Sequence, residues 1–270
     1  MRTSAALLAL ALLTPPAAAD ALNDALDALV ASYPNHLAAH EGNDLVWKDG
    51  SRMPISDGRV DKTFQQLLER PDIKDQFAFR YPLGPKVAPP AVNEDPGRIR
   101  FEPFFAKMYG DCRKGEVAKR LKPLAWLQKR GGGRLSVTTV NRVDERLAAV
   151  VKELDTLSPD MTRFLVPSAG TYNCRTIRNT ARLSVHAFAA AIDINDKQAD
   201  YWESLKGRTG AFTWRNRVPG EIGEIFERHG FIWGAKWFHV DSMHFEYRPE
   251  LIALSKQGVL EQRARLVPPI

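Results

Sequence analysis

Val140, Val143, Leu147, Val150, Val151, Leu154 and Leu157 recur at helical spacing, so residues 140–157 read as an amphipathic helix. Leu22, Leu26, Leu29 and Val30 predict a shorter helix over 20–32, and Glu221–His229 predicts another, closed by Gly230. Gly115–Leu127 also reads as helical. The period changes elsewhere. Arg134–Val140 alternates and is β-branched, which predicts a strand. Phe164–Val166 before Pro167, Ala189–Ile194 ending near Asp193, Phe231–Trp233 and Met243–Tyr247 are short apolar runs that read as further strands. Trp47-Lys48-Asp49-Gly50 and Asp57-Gly58 are hairpin turn signals, and Gly131–Gly133 is a turn. Pro82–Pro96 carries five prolines and predicts an irregular connector. Strands and helices without a βαβ rhythm predict an α+β fold, a small antiparallel sheet with flanking helices, rather than a doubly wound sheet. The connector divides an N-terminal extension without an assigned role (20–95) from a core domain (96–255) and a C-terminal tail (256–270).

Charge and cysteine content narrow the setting. The formal charge of +6 is spread among interleaved acids and bases, which excludes a nucleic-acid stripe and suits an anionic partner such as cell-wall polymer or lipid headgroups. Met1-Arg2, the apolar run Ala5–Leu13 and the small residues Ala17–Ala19 have the order of a secretory signal, so residues 1–19 are expected to be removed. The run is too short to span a bilayer, and no later segment is apolar for the required length. An exported, periplasmic or extracellular protein without a membrane span is therefore expected. In that setting Cys112 and Cys174 predict one disulfide, tying the segment at Cys112 to the loop before His186; two buried free thiols are the alternative.

The candidate chemistry lies in Ser184-Val185-His186 through Asp193 and in Asp241-Ser242-Met243-His244. Two imidazoles and one carboxylate (His186, Asp193 and His244) form a three-ligand set for Zn2+ that leaves a position for water. Asp241 and His244 would face opposite ways in a regular strand, so a bend near Ser242 is required if both serve one site. That bend puts Asp241 beside the water, in the place of a general base. His36-x-x-x-His40 is a second imidazole pair on one predicted helical face. It lacks the glutamate of H-E-x-x-H and is read as surface or packing. No Gly-rich phosphate loop and no G-x-S-x-G elbow are present.

These residues resemble the M15-type zinc D-alanyl-D-alanine carboxypeptidase-like peptidoglycan peptidases. The family pattern Ser-x-His-x-x-Gly-x-Ala-x-Asp stands here as Ser184, His186, Ala189, Ala191 and Asp193, and Glu/Asp-x-x-His as Asp241 and His244. The flanks Gly170–Arg175 and Met243–Glu250 are similar too, and the resemblance spans about residues 95–255. It implies a D,D-peptidase/hedgehog-like fold with a zinc site. It also implies amide hydrolysis in peptidoglycan stem peptides, as a D,D-carboxypeptidase or an L,D-/D,D-endopeptidase, with no organic cofactor. His186, Asp193 and His244 become the zinc ligands and Asp241 the base. Arg175, with Arg178 and Arg182 as rivals, becomes the stabiliser of developing charge, and Ser184 a substrate-binding or orienting residue. Ala189 departs from the family glycine.

Structural readings compete at each position. Asp241 and Ser184 also suit turns, Arg175 a solvated loop, and Trp233 and Trp237 the core. Glu246, on the strand face of His244, is explained by an ion pair as well as by catalysis, and His239 is either a support for the site or an exposed residue. At the level of the whole protein, the competing reading is a catalytically inactive zinc-fold module that binds cell wall or a protein partner. A third reading is a peptidase for a small dipeptide.

Overall fold

The computed structural model describes residues 16–207 and 209–257. The apolar run Ala5–Leu13 of the expected export signal lies outside the described residues. Seven helices and eight strands are defined among them, in the order α1 (Pro16–Ser32), β1 (Leu37–Glu41), β2 (Asp44–Trp47), β3 (Arg52–Pro54), α2 (Phe64–Glu69), α3 (Glu102–Tyr109), β4 (Leu121–Ala125), β5 (Arg134–Thr138), α4 (Val143–Leu154), α5 (Thr162–Leu165), β6 (Ala191–Asp193), α6 (Gly220–Arg228), β7 (Phe231–Trp233), β8 (His244–Tyr247) and α7 (Pro249–Gln257). Short 3-10 turns join several of them. The sheets are small and antiparallel: β1-β2-β3, β4-β5 and β6-β8-β7. Mixed helices and small antiparallel sheets make the fold α+β, as expected. No helix among the described residues is long and apolar enough to cross a membrane.

The third sheet positions the site, and α6 stands behind it. Ile222, Ile225 and Phe226 form the buried stripe of α6. Phe226 stacks on Phe245 of β8 at 3.8 Å between ring centroids, and Phe245 stacks in turn on Trp233 of β7 at 5.5 Å. Gly223 is required for this contact, since a Cβ there would lie 2.2 Å from the Trp233 ring. The Pro82–Pro96 connector is irregular, as its composition predicts, yet it is tied at both ends. The Lys236 ammonium donates to the carbonyls of Pro82 and Gly84 at 2.6 and 2.7 Å and pairs with buried Glu227. At the other end the Trp237 indole N–H donates to the Pro96 carbonyl at 2.6 Å. The N-terminal segment joins the same hydrophobic cluster as the sheet, and Tyr33, just past α1, donates its hydroxyl to Glu250 of α7 at 2.7 Å.

Four local expectations are corrected. Gly115–Leu127 is not a helix but a turn, a short 3-10 segment (Ala118–Arg120) and the strand β4. Pro123 is incompatible with a helix interior, but it fits a two-stranded ladder, where each strand has a free edge. Phe164-Leu165 ends the short helix α5 and is not a strand. A three-residue apolar run carries no period, and here the Leu165 carbonyl turns to accept the Trp126 indole N–H at 3.0 Å. His36 and His40 share no helical face. Pro34 follows the end of α1, His36 lies in a turn, and His40 sits in β1, where it meets Asp27 at 2.9 Å. Of the two turn signals, Trp47–Gly50 joins β2 to β3, while Asp57-Gly58 lies beyond β3 and joins no hairpin.

Cys112 and Cys174 are disulfide-bonded across 62 residues of sequence, from the end of α3 to the loop before the site. Closing a loop of that length restricts the unfolded chain by about 4 kcal/mol in the chain-entropy account. The double variant Cys112→Ser/Cys174→Ser is therefore expected to lose roughly 2–4 kcal/mol of stability in denaturant unfolding. A loss below about 0.5 kcal/mol would mean that the loop is held by its other contacts alone.

Candidate metal centre

His186 comes from a 3-10 turn, Val185–Phe188, capped by the Ser184 hydroxyl, which accepts the His186 backbone N–H at 3.3 Å. The turn closes on Ala189 in the left-handed conformation, φ 53° and ψ 27°. This explains why the family pattern carries glycine there, since a Cβ in that region costs about 1 kcal/mol. The Ala189 methyl is fully buried, and burying a methyl group returns about 0.8 kcal/mol.

Asp193 ends β6 and lies directly opposite His244 on β8 in antiparallel register. Residues opposite one another share a face, so the two side chains meet. The Asp193 backbone is also pinned: its carbonyl accepts N–H groups from Ala169 and Gly170 and the Ser168 hydroxyl, and its own N–H donates to Gly170. The bend expected near Ser242 is present. Asp241–Met243 form a turn whose His244 N–H donates to the Asp241 carbonyl at 3.1 Å. Gly234 underlies it, and a Cβ there would sit 2.5 Å from the Asp241 carbonyl oxygen.

The three donor atoms form a small triangle. His186 Nε2 lies 3.2 Å from His244 Nδ1 and 3.2 Å from Asp193 Oδ1, and His244 Nδ1 lies 2.9 Å from Asp193 Oδ1. The edges of a zinc tetrahedron with bonds of about 2.0–2.1 Å are about 3.3 Å. The remaining ring nitrogens also fit. His186 Nδ1 meets the Thr171 carbonyl at 2.7 Å, and His244 Nε2 meets Glu246 at 3.1 Å. Each partner fixes the tautomer that turns a lone pair inward, the arrangement expected of metal-holding histidines. The group could hold a metal ion, and two imidazoles with one carboxylate suit zinc.

Electrostatics agree with that fit. Burial disfavours the charged form of His244, but Asp193 and Glu246 outweigh it and hold its pKa up at about 10. Burial raises Asp193, yet the His186 and His244 imidazoles hold its carboxyl far below the usual range. Burial raises Glu246, and Arg100 with His244 more than reverse that. Asp241 is the exception. Burial pushes its carboxyl up to about 6, and its Oδ1 is buried without a hydrogen-bond partner.

A cleft of 260 Å3 is lined by His186, Asp193, Asp241 and His244, together with Ser184, Arg175, Trp237 and His239. The structure separates the three arginines considered from sequence. Arg175 lines the cleft, Arg182 lines a neighbouring cavity, and exposed Arg178 lines neither. Ser184 is both the turn cap and a cleft residue. Trp237 borders the cleft, whereas Trp233 is core, donating its indole N–H to Ser242 at 2.9 Å. His239 borders the cleft and is held by Asp95 at 2.6 Å. Sequence reading missed Arg98, Arg100 and the Thr171 carbonyl. Both arginines line the cleft; Arg98 pairs with Asp95 at 2.8 Å, and Arg100 forks onto Glu246 with Nε 3.1 Å from each carboxylate oxygen. Neither arginine belongs to a motif, and Thr171, within the Gly170–Arg175 flank, acts through its backbone, which the flank's side chains do not reveal.

Residues 178–247 match the family model described as D-alanyl-D-alanine carboxypeptidase, which supports an M15-type peptidase family. No curated protein and no solved structure matches the chain.

A metal must displace the proton held among the three donors. With a pKa of about 10, His244 is protonated at pH 8 in the metal-free protein and must be neutral to ligate. Zinc binding at pH 8 is therefore expected to release about one proton, with apparent affinity rising about tenfold per pH unit up to the region of that pKa. Calorimetry in buffers of different ionisation enthalpy measures this directly, and zero release would refute the assigned protonation. For Ala189→Gly, relief of strain and loss of the buried methyl nearly cancel. Stability in denaturant is expected to change by less than about 1 kcal/mol, and zinc affinity in a chelator competition is expected to stay unchanged.

Proposed function

We propose that this M15-type chain is an exported zinc peptidase that hydrolyses an amide bond in peptidoglycan stem peptides. His186, Asp193 and His244 would hold the zinc. The observation that carries the reading is the triangle of three donors beside a buried carboxylate whose oxygen lacks a partner. The family match over residues 178–247 independently supports a peptidase acting on D-Ala-D-Ala-type substrates.

Zinc held by these residues would supply a Lewis acid for the scissile carbonyl and would acidify water. The residues of the chain supply the rest. Asp241, raised by burial and left with a free lone pair in the cleft, takes the proton of the attacking water and delivers it to the leaving amine nitrogen. Arg175 borders the same cleft and stays charged, which suits it to stabilising negative charge on the carbonyl oxygen. Arg98 and Arg100 add positive field but are already paired with Asp95 and Glu246. Ser184 orients the His186 turn through its cap and offers a hydroxyl at the cleft wall. Within this reading, residues 96–255 form the peptidase domain and 20–95 an extension packed on it.

The alternative, an inactive zinc-fold module that binds cell wall or a protein partner, has in its favour the alanine at position 189. That residue adopts the left-handed conformation the pattern requires, so it leaves the ligand turn formed.

The zinc-loaded protein is expected to release chelator-sensitive fragments from purified peptidoglycan, identified by mass spectrometry. Terminal D-Ala would indicate a carboxypeptidase and internal fragments an endopeptidase. Asp241→Asn should retain stoichiometric zinc and lose turnover by about 100-fold or more. Undiminished turnover would remove Asp241 from the base role, and zinc-bound protein without any product would favour the binding module.

A further inference from the structure

A second cavity, of 190 Å3, adjoins the metal cleft, and the two share Arg100 and Ile177 as a common wall. Leu68, Phe105, Leu183 and Phe188 make most of its surface apolar. Arg182 lines it with a guanidinium whose Nε is buried and has no hydrogen-bond partner. Among the described residues no carboxylate lies within ion-pair distance of Arg182, while neighbouring Arg98 and Arg100 hold Asp95 and Glu246.

The two acids on the cavity wall are engaged elsewhere. Glu69 accepts from Gln65, and Glu102 accepts the Leu183 N–H at 3.0 Å and faces Arg113 at 3.6 Å. Burial, with the positive charges of Arg100 and Arg98, lowers the Arg182 pKa to about 10, against a smaller opposing effect of the Glu69 carboxylate. A half-buried guanidinium with a buried, unpartnered Nε gains from a ligand that supplies the missing acceptor.

We propose that this cavity is a subsite for one carboxylate on a short apolar stem, carried by the part of the peptide substrate remote from the cleaved bond. The inference rests on the peptidase reading above. Arg182 offers a planar fork that suits a carboxylate, and exposed Arg70 also lines the cavity with a positive charge. The apolar walls suit an alkyl stem. Leu68 and Phe105 lie outside residues 178–247, so the cavity is built jointly by the N-terminal part of this chain and the matched segment. The extension thereby gains a role in choosing the substrate.

The test uses the zinc-loaded protein and a synthetic stem pentapeptide. Variants of the peptide carry each carboxylate remote from the cleaved bond as an amide, one at a time. One amidation is expected to raise KM about tenfold or more with little change in kcat, the effect of a lost charge-assisted hydrogen bond. Arg182→Gln should abolish that discrimination, and Arg182→Lys should restore part of it. The Arg182→Gln variant should also unfold at or above the parental temperature, because it removes a half-buried guanidinium that has no ion-pair partner. A clear drop in unfolding temperature would assign Arg182 a structural role and overturn the proposal. Equal KM for every peptide with the parent would overturn the subsite while leaving the peptidase reading intact. If no peptide is cleaved, the same set is measured by equilibrium binding. Amide-sensitive binding that depends on Arg182 would then keep the subsite and reject the peptidase reading, and uniform or absent binding would reject the subsite.

Discussion

The register between β6 and β8 is the constraint on which the rest of the site depends. It sets Asp193 opposite His244 and so fixes two of the three inward donors in one step. A slip of one residue would turn Asp193 to the other face of the sheet. The register is held from behind by the Phe226–Phe245–Trp233 stack and from the front by the 168–170 segment bonded to the Asp193 backbone. His186 is the only donor off this sheet, and its turn is anchored by Ser184 at one end and by the left-handed Ala189 at the other. Three donors within about 3 Å of one another are thus imposed by packing that contains no metal-binding residue of its own.

Such a triangle concentrates charge in a dry place, and the surroundings are built to balance it. Glu246 meets His244, Arg100 and Arg248, and Arg248 continues to Glu250, which accepts the Tyr33 hydroxyl beyond α1. Glu246, Arg248 and Glu250 are essentially inaccessible to solvent. Removing any one of them would strand the charge of its neighbour, which costs more than the pair contributes. The N-terminal segment is therefore coupled to the metal centre through side chains as well as through the hydrophobic core. It also gives Leu68 to the cavity beside the cleft.

Legibility in sequence followed how local each signal was. α4 and α6 were readable because each carries a long apolar stripe, and β8 because Met243–Tyr247 is bounded by turns. His186, Asp193, Asp241 and His244 were readable because their spacing is a chemical pattern. α3 was not, since eight residues with Phe104, Phe105, Met108 and Tyr109 buried give too little period to separate helix from strand. α2 could have been found, because Thr63 and Gln66 form a capping box that stands plainly in the sequence. Arg98 and Arg100 reach the cleft from a segment without any motif, by tertiary packing alone. The choice among Arg175, Arg178 and Arg182 likewise depended on loop geometry that spacing does not encode.

The contrast between Asp241 and Arg182 separates two kinds of unmet need. Each has a buried polar atom without a partner, a state that ordinarily costs about 1–3 kcal/mol. Proteins keep such groups where function compensates for the loss of stability. Asp241 lies in the metal cleft, where its raised pKa makes the carboxylate a stronger base and its free lone pair suits proton transfer. Arg182 lies one wall away, permanently charged, where it can take no proton from a substrate but can hold a fixed negative charge. A module that only docked on polymer would need neither group in this state, and both could be replaced by packed apolar residues at no loss. Their coexistence on either side of Arg100 and Ile177 supports a cleft that performs chemistry and an adjoining pocket that sorts substrates.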